Sequence, residues 1–383
     1  MTAAPTGAAV PAAAPVLAVR ALDWPCCEAP SILHAWNALA QCAAEPNPFH
    51  ESWYLLTALR GLNSGETVQM LLFETADVLA GMIPIAREPR YYGRRLPHLG
   101  GWTHPNCFLG VPLVAPGFER AFWRALLGWA DRNAGNALFF HITALPLDGP
   151  LHAALVDVLA EQDRLSGLVH REERAMLASD ATPEAYFAAA LSGKKRKELR
   201  RQLARLCELG EVDFARETGA GGLGAWIARF LALEATGWKG KAGSALAQGQ
   251  ATETLFAEAL GGAAAQGRLE RLSLTLDGRP IAMLANFIAP PGAFSFKTTY
   301  DEAYARFSPG VLLQCENLLM LDRADIAWTD SCAAEGHPMI DHIWRERRAL
   351  GRISIAIGGK LRRAAFARLL RLELGRSAAR ATG

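Results

Sequence analysis

Between Leu269 and Tyr300 three apolar runs follow one another with nothing helical between them. Leu269 to Leu276, Pro280 to Ile288 and Phe294 to Tyr300 are each of strand length, and Asp277-Gly278 between the first two is a strong signal for a tight hairpin turn. Strands joined this way pair antiparallel, and the sheet they begin has to be covered by helices on either side. Helical spacing predicts those at Pro183 to Leu209 (broken near Ser192-Gly193), Gly224 to Ala235, Thr252 to Gln266 and Pro309 to Asp322. Further strands read at Val212 to Ala215, Ile326 to Thr329 and Ile353 to Ile357.

A similar order occurs upstream. A strand at Val16 to Val19 is followed by helices near Ser31 to Ala43 and Glu51 to Leu62, then by a hairpin of Val68 to Phe73 and Val78 to Ala86. Gly100 to Pro116 is a Gly- and Pro-punctuated stretch, and helix Phe118 to Asn133, strand Leu138 to Thr143 and helix Pro150 to Glu161 complete the half. The repeat lies in the order of elements and not in residue identities. It predicts an α+β fold used twice, as two tandem lobes, each a mixed and mostly antiparallel sheet flanked by helices. The expected divisions are a flexible leader (1–15), a first lobe (16–165), a second lobe (166–358) and a basic helical tail (359–383), with Val169 to Leu177 also readable as a strand crossing between the halves.

The net charge of +2 conceals a strong asymmetry. Residues 193–205 carry seven basic groups against Glu198, residues 359–383 carry seven against Glu373, and the rest of the chain is left at −10. Neither basic run interleaves aromatic residues, so no nucleic-acid partner is expected. An anionic membrane surface, met through 194–205 and 360–376, suits them better. The helix from Lys194 is either an anion-binding corner, if Gly193 breaks it, or a solvated face with Leu199, Leu203 and Leu206 inward. The seven cysteines form no CxxC pair and His337 and His342 are not at i, i+4 spacing, so neither a disulfide framework nor a metal site is expected. No uncharged apolar run reaches the roughly 18 residues of a bilayer span, and the Ala/Pro-rich first sixteen residues lack a positive n-region. The expected location is cytoplasmic, with peripheral attachment to the inner membrane as an extension of the charge pattern.

The stretch Phe296-Lys297-Thr298-Thr299-Tyr300-Asp301 through Arg306-Phe307-Ser308-Pro309-Gly310-Val311 carries a strand into a loop and then into a helix. Ser308 is placed to N-cap that helix, Pro309 stands at N1, and Gly310 leaves the first-turn amides uncovered. Such a helix start is an anion site, with Arg306 adding a formal charge and a pyrophosphate as the natural guest; otherwise it is a capped helix with a surface arginine.

Four segments together, YDEAYARFSPGVLL, LEATGWKGKAGSALA, GRPIAMLANF and GKKRKELRRQLARL, resemble the GNAT-type acetyltransferase family first associated with cellulose biosynthesis loci. That family is similar in architecture to the Fem-type peptidyltransferases, which contain two GNAT-like halves. The resemblance covers about residues 30–358 and is strongest over 190–345. It implies two GNAT-like lobes and an acyl-CoA co-substrate, with no permanently bound cofactor. Lys297 and Thr298 would lie along the pantetheine, and Arg306, Ser308, Pro309, Gly310 and Val311 at the pyrophosphate. The common signature Q/R-x-x-G-x-G/A is absent, and Arg306-Phe307-Ser308-Pro309-Gly310 stands in its place.

Acylation of an amine needs a base for the ammonium proton, a donor for the oxyanion and an acid for the leaving thiolate. Glu234, one turn before Trp238-Lys239, is the leading base; its other reading is a helix-surface carboxylate paired with Lys239. Lys239 or a strand N–H near Thr298 would serve the oxyanion, and Tyr300 would protonate sulfur. Asp301 is a further candidate or a cap of the following loop, and His337 a second base or a loop histidine. The acceptor is an amine. Among such families it is an envelope saccharide, a peptide or the amine of a long-chain base, and the last would make the chain resemble a bacterial ceramide synthase. Trp238, Phe287, Phe294 and Phe296 are apolar enough to line an acyl chain, and each also reads as core.

Overall fold

The computed structural model describes residues 16–63, 65, 67–237, 243 and 245–381. The expected leader, Trp238 and Lys239 lie outside the described residues. Asp277 and Gly278 both have positive φ, 49° and 72°, so the turn is of the primed kind whose twist matches two right-twisted strands. It joins β9 (Leu269–Leu276) to β10 (Arg279–Ala289), and β11 (Gly292–Tyr300) follows directly. β8 (Val212–Thr218) pairs with the far side of β9, giving four antiparallel strands. Upstream, β1 (Ala18–Asp23), β2 (Val68–Glu74), β3 (Leu79–Glu88) and β4 (His98–Gly101) repeat this arrangement, with β5 (Leu113–Val114) as a short branch on β3.

The two sets belong to one sheet. β6 (Phe139–Pro146) runs parallel to β4, β12 (Trp328–Asp330) runs parallel to β11, and between them stand β13 (Glu346–Ala356) and β7 (Ser166–Leu177). The order is β1-β2-β3-β4-β6-β13-β7-β12-β11-β10-β9-β8. Each half is thus completed by a strand from the other: β13, near the end of the chain, pairs with β6 of the first half, and β7 pairs with β12 of the second. β7 is the crossing strand that Val169 to Leu177 suggested, and β13 starts seven residues earlier than the apolar run 353–357 indicated.

Helices cover both halves. The first has α1 (Pro30–Cys42), α2 (Ser52–Leu62), α3 (Glu119–Arg132) and α4 (Pro150–Glu161). The second has α5 (Pro183–Ala190), α6 (Gly193–Cys207), α7 (Leu223–Thr236), α8 (Gln250–Ala265) and α9 (Pro309–Glu316), and α10 (Lys360–Ala381) follows β13. The break at Ser192-Gly193 is real: Ser192 Oγ accepts the Lys195 amide at 3.2 Å as the cap of α6. The helix expected to run to Asp322 ends at Glu316 and continues as a 3-10 turn, Asn317–Asp322. α2 and α8 clasp the halves together. A Cβ on Gly262 would lie 2.6 Å from Trp53 Cβ, and ion pairs Arg268–Glu51 (3.2 Å) and Arg60–Glu258 (3.8 Å) flank the crossing.

Candidate active site

β11 and β12 pair for only three residues, Gly292 with Trp328, Ala293 with Thr329 and Phe294 with Asp330. Beyond that point β11 continues to Tyr300, held by β10 alone, while residues 331–334 leave the sheet. The gap between the parted strands is a cavity of about 740 Å³. One wall is Ser295 to Tyr300, the other is Ser331 to Ala334 with His337 to Ile340, and Ser308 to Val311 close the far end. Along β11 the register to β10 jumps from Ser295–Asn286 to Lys297–Ala285, so Phe296 is bulged at the point where the strands separate.

The matching gap in the first half is filled. β4 and β6 pair at Leu99–Phe140 and Gly100–His141 and then part, but Gly110 donates its amide to Ala144 O at 3.1 Å across the opening. Asn47 Nδ2 pins the same segment through Leu109 O (3.2 Å) and Val111 O (2.7 Å). Gly110 is obligatory there, since a Cβ would overlap the Thr143 carbonyl.

Two arginines and an aspartate hold the open gap in place. Asp330 is fully buried; Arg174 Nη2 from β7 donates to its Oδ2 at 2.7 Å, and Arg348 Nη1 from β13 donates to the same oxygen at 3.1 Å. Burial alone would raise the Asp330 pKa, and the two guanidiniums more than offset it, so the carboxyl titrates below the usual range. Its Oδ1 accepts the Cys332 amide at 2.9 Å, which fixes the start of the departing wall.

Glu234 lines the cavity from the last turn of α7. It is 2% exposed and its Oε2 accepts the Leu246 amide at 2.8 Å, so it is a buried carboxylate and not the surface group of the alternative reading. Lys297, Thr298, Tyr300, Ser308, Pro309, Gly310, Val311 and His337 line the same cavity. Lys297 Nζ donates to Asn106 Oδ1 of the first half at 2.8 Å and lies 5.1 Å from the Phe108 ring centroid. Burial, with Lys297 as a second cause, pushes the neighbouring His104 down to about 4. Thr298 Oγ1 accepts from Gln314 Nε2 at 3.3 Å, and His337 Nδ1 accepts the Met339 amide at 3.4 Å. Gly310 lets Met339 and Tyr300 close on the helix start: a Cβ would lie 2.6 Å from Met339 Sδ and 3.2 Å from Tyr300 Cδ1.

Four expectations need correction. Asp301 does not line the cavity; it caps the 3-10 turn Glu302–Phe307 by accepting the Ala303 amide at 2.9 Å, and it pairs with Arg279 at 3.1 Å. Ser308 precedes α9 as expected, but at φ 53° and ψ 50° it is in the left-handed region and its side chain caps nothing. Arg306 is exposed outside the cavity, stacked over Phe307 at 4.7 Å. Of the aromatics proposed for an acyl chain, Phe287 and Phe294 are core residues packed on Phe49, and Phe296 alone among the described ones reaches the cavity. In the basic helix, Arg196 turns back onto the Leu191 carbonyl at 3.1 Å, while Gln202 Nε2 ties α6 to Arg306 O at 3.2 Å beside the helix start.

Sequence reasoning missed Phe108, which reaches the cavity from the first half, Asn106, which holds the cavity residue Lys297, and Ser295, Gln314, Cys332 and Met339. Ser295 Oγ is buried and has no hydrogen-bond partner among the described residues, although it borders the cavity. Cys332, also buried, has its thiol raised far above the ordinary value by burial. Among the described residues no three His, Cys, Asp or Glu side chains converge as a metal site requires.

A family model described as acetyltransferase (GNAT) domain matches residues 193–335. Comparison with curated proteins gives no match. Among solved structures the chain is similar to a crystal structure of FemX, with 9% identity and a TM-score of 0.55 over 85% of this chain and 96% of that one. It is also similar to a conserved protein of unknown function from Bacteroides thetaiotaomicron VPI-5482 (11% identity, TM-score 0.52, 85% and 97% covered). A third is the C-terminal domain of a putative lysylphosphatidylglycerol synthetase from Agrobacterium fabrum (10% identity, TM-score 0.51, 89% and 96% covered). At such identities the likeness is one of fold. The segment that matches the acetyltransferase (GNAT) domain contains Glu234, β11, the start of α9 and the departing strand, which is most of the cavity wall.

Proposed function

We propose that the protein is an N-acyltransferase that moves an acyl group from acyl-CoA to an amine, with a long-chain lipid amine as acceptor. The observation that carries this reading is the parted strand pair: a cavity beside an extended strand, ending at the start of a helix and bordered by a buried carboxylate. The strand from Ser295 to Tyr300 offers backbone groups to a pantetheine arm, and the first amides of α9 offer a pyrophosphate site. The thioester then lies toward the bulge at Phe296, where a strand N–H meets the developing oxyanion.

In this reading Glu234 removes a proton from the ammonium, and the free amine attacks the thioester carbon. The new C–N bond forms, the nitrogen gives up its second proton to solvent, the tetrahedral intermediate collapses, and the C–S electrons leave on sulfur, which is protonated from solvent; Tyr300, whose ring lies against the start of α9, stands at the pyrophosphate end. His337, on the opposite wall, is the second base. The lipid acceptor rests on the apolar lining supplied by Phe108, Phe296, Val311, Met339 and Ile340. A long-chain amine is delivered from a bilayer, so the reading includes peripheral association with an anionic membrane.

The test is thiol release from a panel of short and long acyl-CoAs, with a long-chain amino alcohol, glucosamine and a peptide amine as acceptors. The expected result is turnover with the long-chain amine, reduced about a hundredfold or more by Glu234→Gln. Turnover with glucosamine or the peptide alone overturns the acceptor, and no binding of any acyl-CoA overturns the donor.

A further inference from the structure

The C-terminal helix α10 uses only one side against the protein. Phe366 stacks near Phe139 at 5.4 Å between centroids, Leu370 lies over Gly167 so closely that a Cβ there would be 2.6 Å from it, and Tyr91 OH donates to Glu373 at 2.8 Å. Arg362 and Arg363 bind the Gly135 and Gly358 carbonyls at the helix start. The other side, at spacings of three and four residues, presents Leu361, Ala364, Ala365, Arg368, Arg371 and Leu372, all exposed. Leu361 is 90% exposed and Leu372 60%, and Arg368 and Arg371 form no ion pair among the described residues. Near Tyr91, which holds Glu373, Tyr92 is 59% exposed and its OH accepts from Arg352 of β13 at 3.0 Å.

We propose that this outward stripe of α10 docks on an anionic phospholipid bilayer, the helix lying in the interface plane. Leu361 and Leu372 are about 16 Å apart along the axis and enter the acyl boundary together, with Lys360, Arg368 and Arg371 at the headgroups. Charge complementarity favours this occupant: residues 359–383 hold seven basic groups and one acidic one, on a chain otherwise negative. Two leucines among arginines add apolar area that a nucleic acid does not reward, and the stacking aromatics an RNA surface needs are absent from the described part of the stripe. Among the described residues no helix is long and apolar enough to cross a membrane, so the association is peripheral. This docking rests on the peripheral association that the proposed function includes and gives it a surface, and flotation reads it apart from acyl transfer.

Flotation of the full-length protein with vesicles of phosphatidylcholine, alone or mixed with phosphatidylglycerol, tests it. The wild type floats with the mixed vesicles only. Arg368→Glu with Arg371→Glu lowers the partition coefficient about thirtyfold or more, and Leu361→Asp with Leu372→Asp lowers it by about a hundredfold or more. Leu361→Ser with Leu372→Ser, a gentler pair, follows the same direction with an unchanged thermal midpoint. The proposal is overturned if the wild type stays soluble at low salt, if the folded variants float as well as the wild type, or if the same substitutions abolish binding of an RNA oligonucleotide while leaving flotation intact.

Discussion

Replacing Asp330 with asparagine tests whether the open cleft depends on a buried charge. The substituted amide keeps the shape and the oxygen that accepts the Cys332 amide, but removes the only negative charge seen between Arg174 and Arg348 among the described residues. Both guanidiniums are buried, so they are left facing each other uncompensated, at a cost of about 3 to 5 kcal/mol. For a 383-residue chain unfolding as one unit, the unfolding entropy is about 0.8 kcal/mol/K, so about 4 kcal/mol lowers the midpoint by about 5 °C. Arg348→Met leaves one arginine with one aspartate, although it gives up the stacking over Trp328 at 4.4 Å, and is expected to cost less than half as much. Differential scanning calorimetry on the three proteins decides. A shift below about 1 °C for Asp330→Asn, or a larger loss for Arg348→Met, refutes the reasoning.

Ser295→Ala removes a buried hydroxyl that has no partner among the described residues, so the ligand-free protein is expected to be unchanged or more stable by up to about 1 kcal/mol, while acyl-CoA binding by calorimetry weakens. Glu45, whose Oε1 accepts the Leu151 amide at 2.9 Å near the start of α4, has its pKa raised to about 7 by burial. Its folded value lies above its unfolded one, so the native state holds the extra proton and stability falls as pH rises from about 4.5 to about 7. Glu45→Gln is expected to flatten that fall in urea midpoints measured across the range, and an unaltered slope would count against the burial argument.

The elements that local chemistry dictates are legible in the sequence. Asp277-Gly278 supplies two positive-φ residues, and the hairpin stands where the dipeptide is. Ser192 marks the start of α6 because a hydroxyl there meets an orphan amide. What escapes depends on partners far along the chain. The apolar run Ile353 to Ile357 marks only the end of β13; its charged first residues, Glu346 to Arg348, enter the sheet with Arg348 paired to Asp330. Lys297 finds Asn106 191 positions away, and no pattern around either residue announces the other. Ser308 looks like an N-cap by composition, and only the close approach of Met339 and Tyr300 to the helix start shows how tightly that corner is built.

The exchange of β7 and β13 explains why one half carries a cavity and the other does not. Each half has a parallel strand pair that opens after two or three residues, so the geometry provides two gaps. In the first, the chain after β4 returns through the opening, and Asn47 and Ala144 satisfy its backbone groups. In the second, the chain after β12 is drawn aside by Asp330, whose partners come from the exchanged strands themselves: Arg174 on β7 and Arg348 on β13. The same Arg174 donates to Phe108 O at 2.8 Å, bringing a first-half aromatic to the cavity wall. Opening of the cleft and fusion of the halves are therefore one device, and a chain cut between them would lose the strand that completes the sheet together with the charges that hold the cavity open.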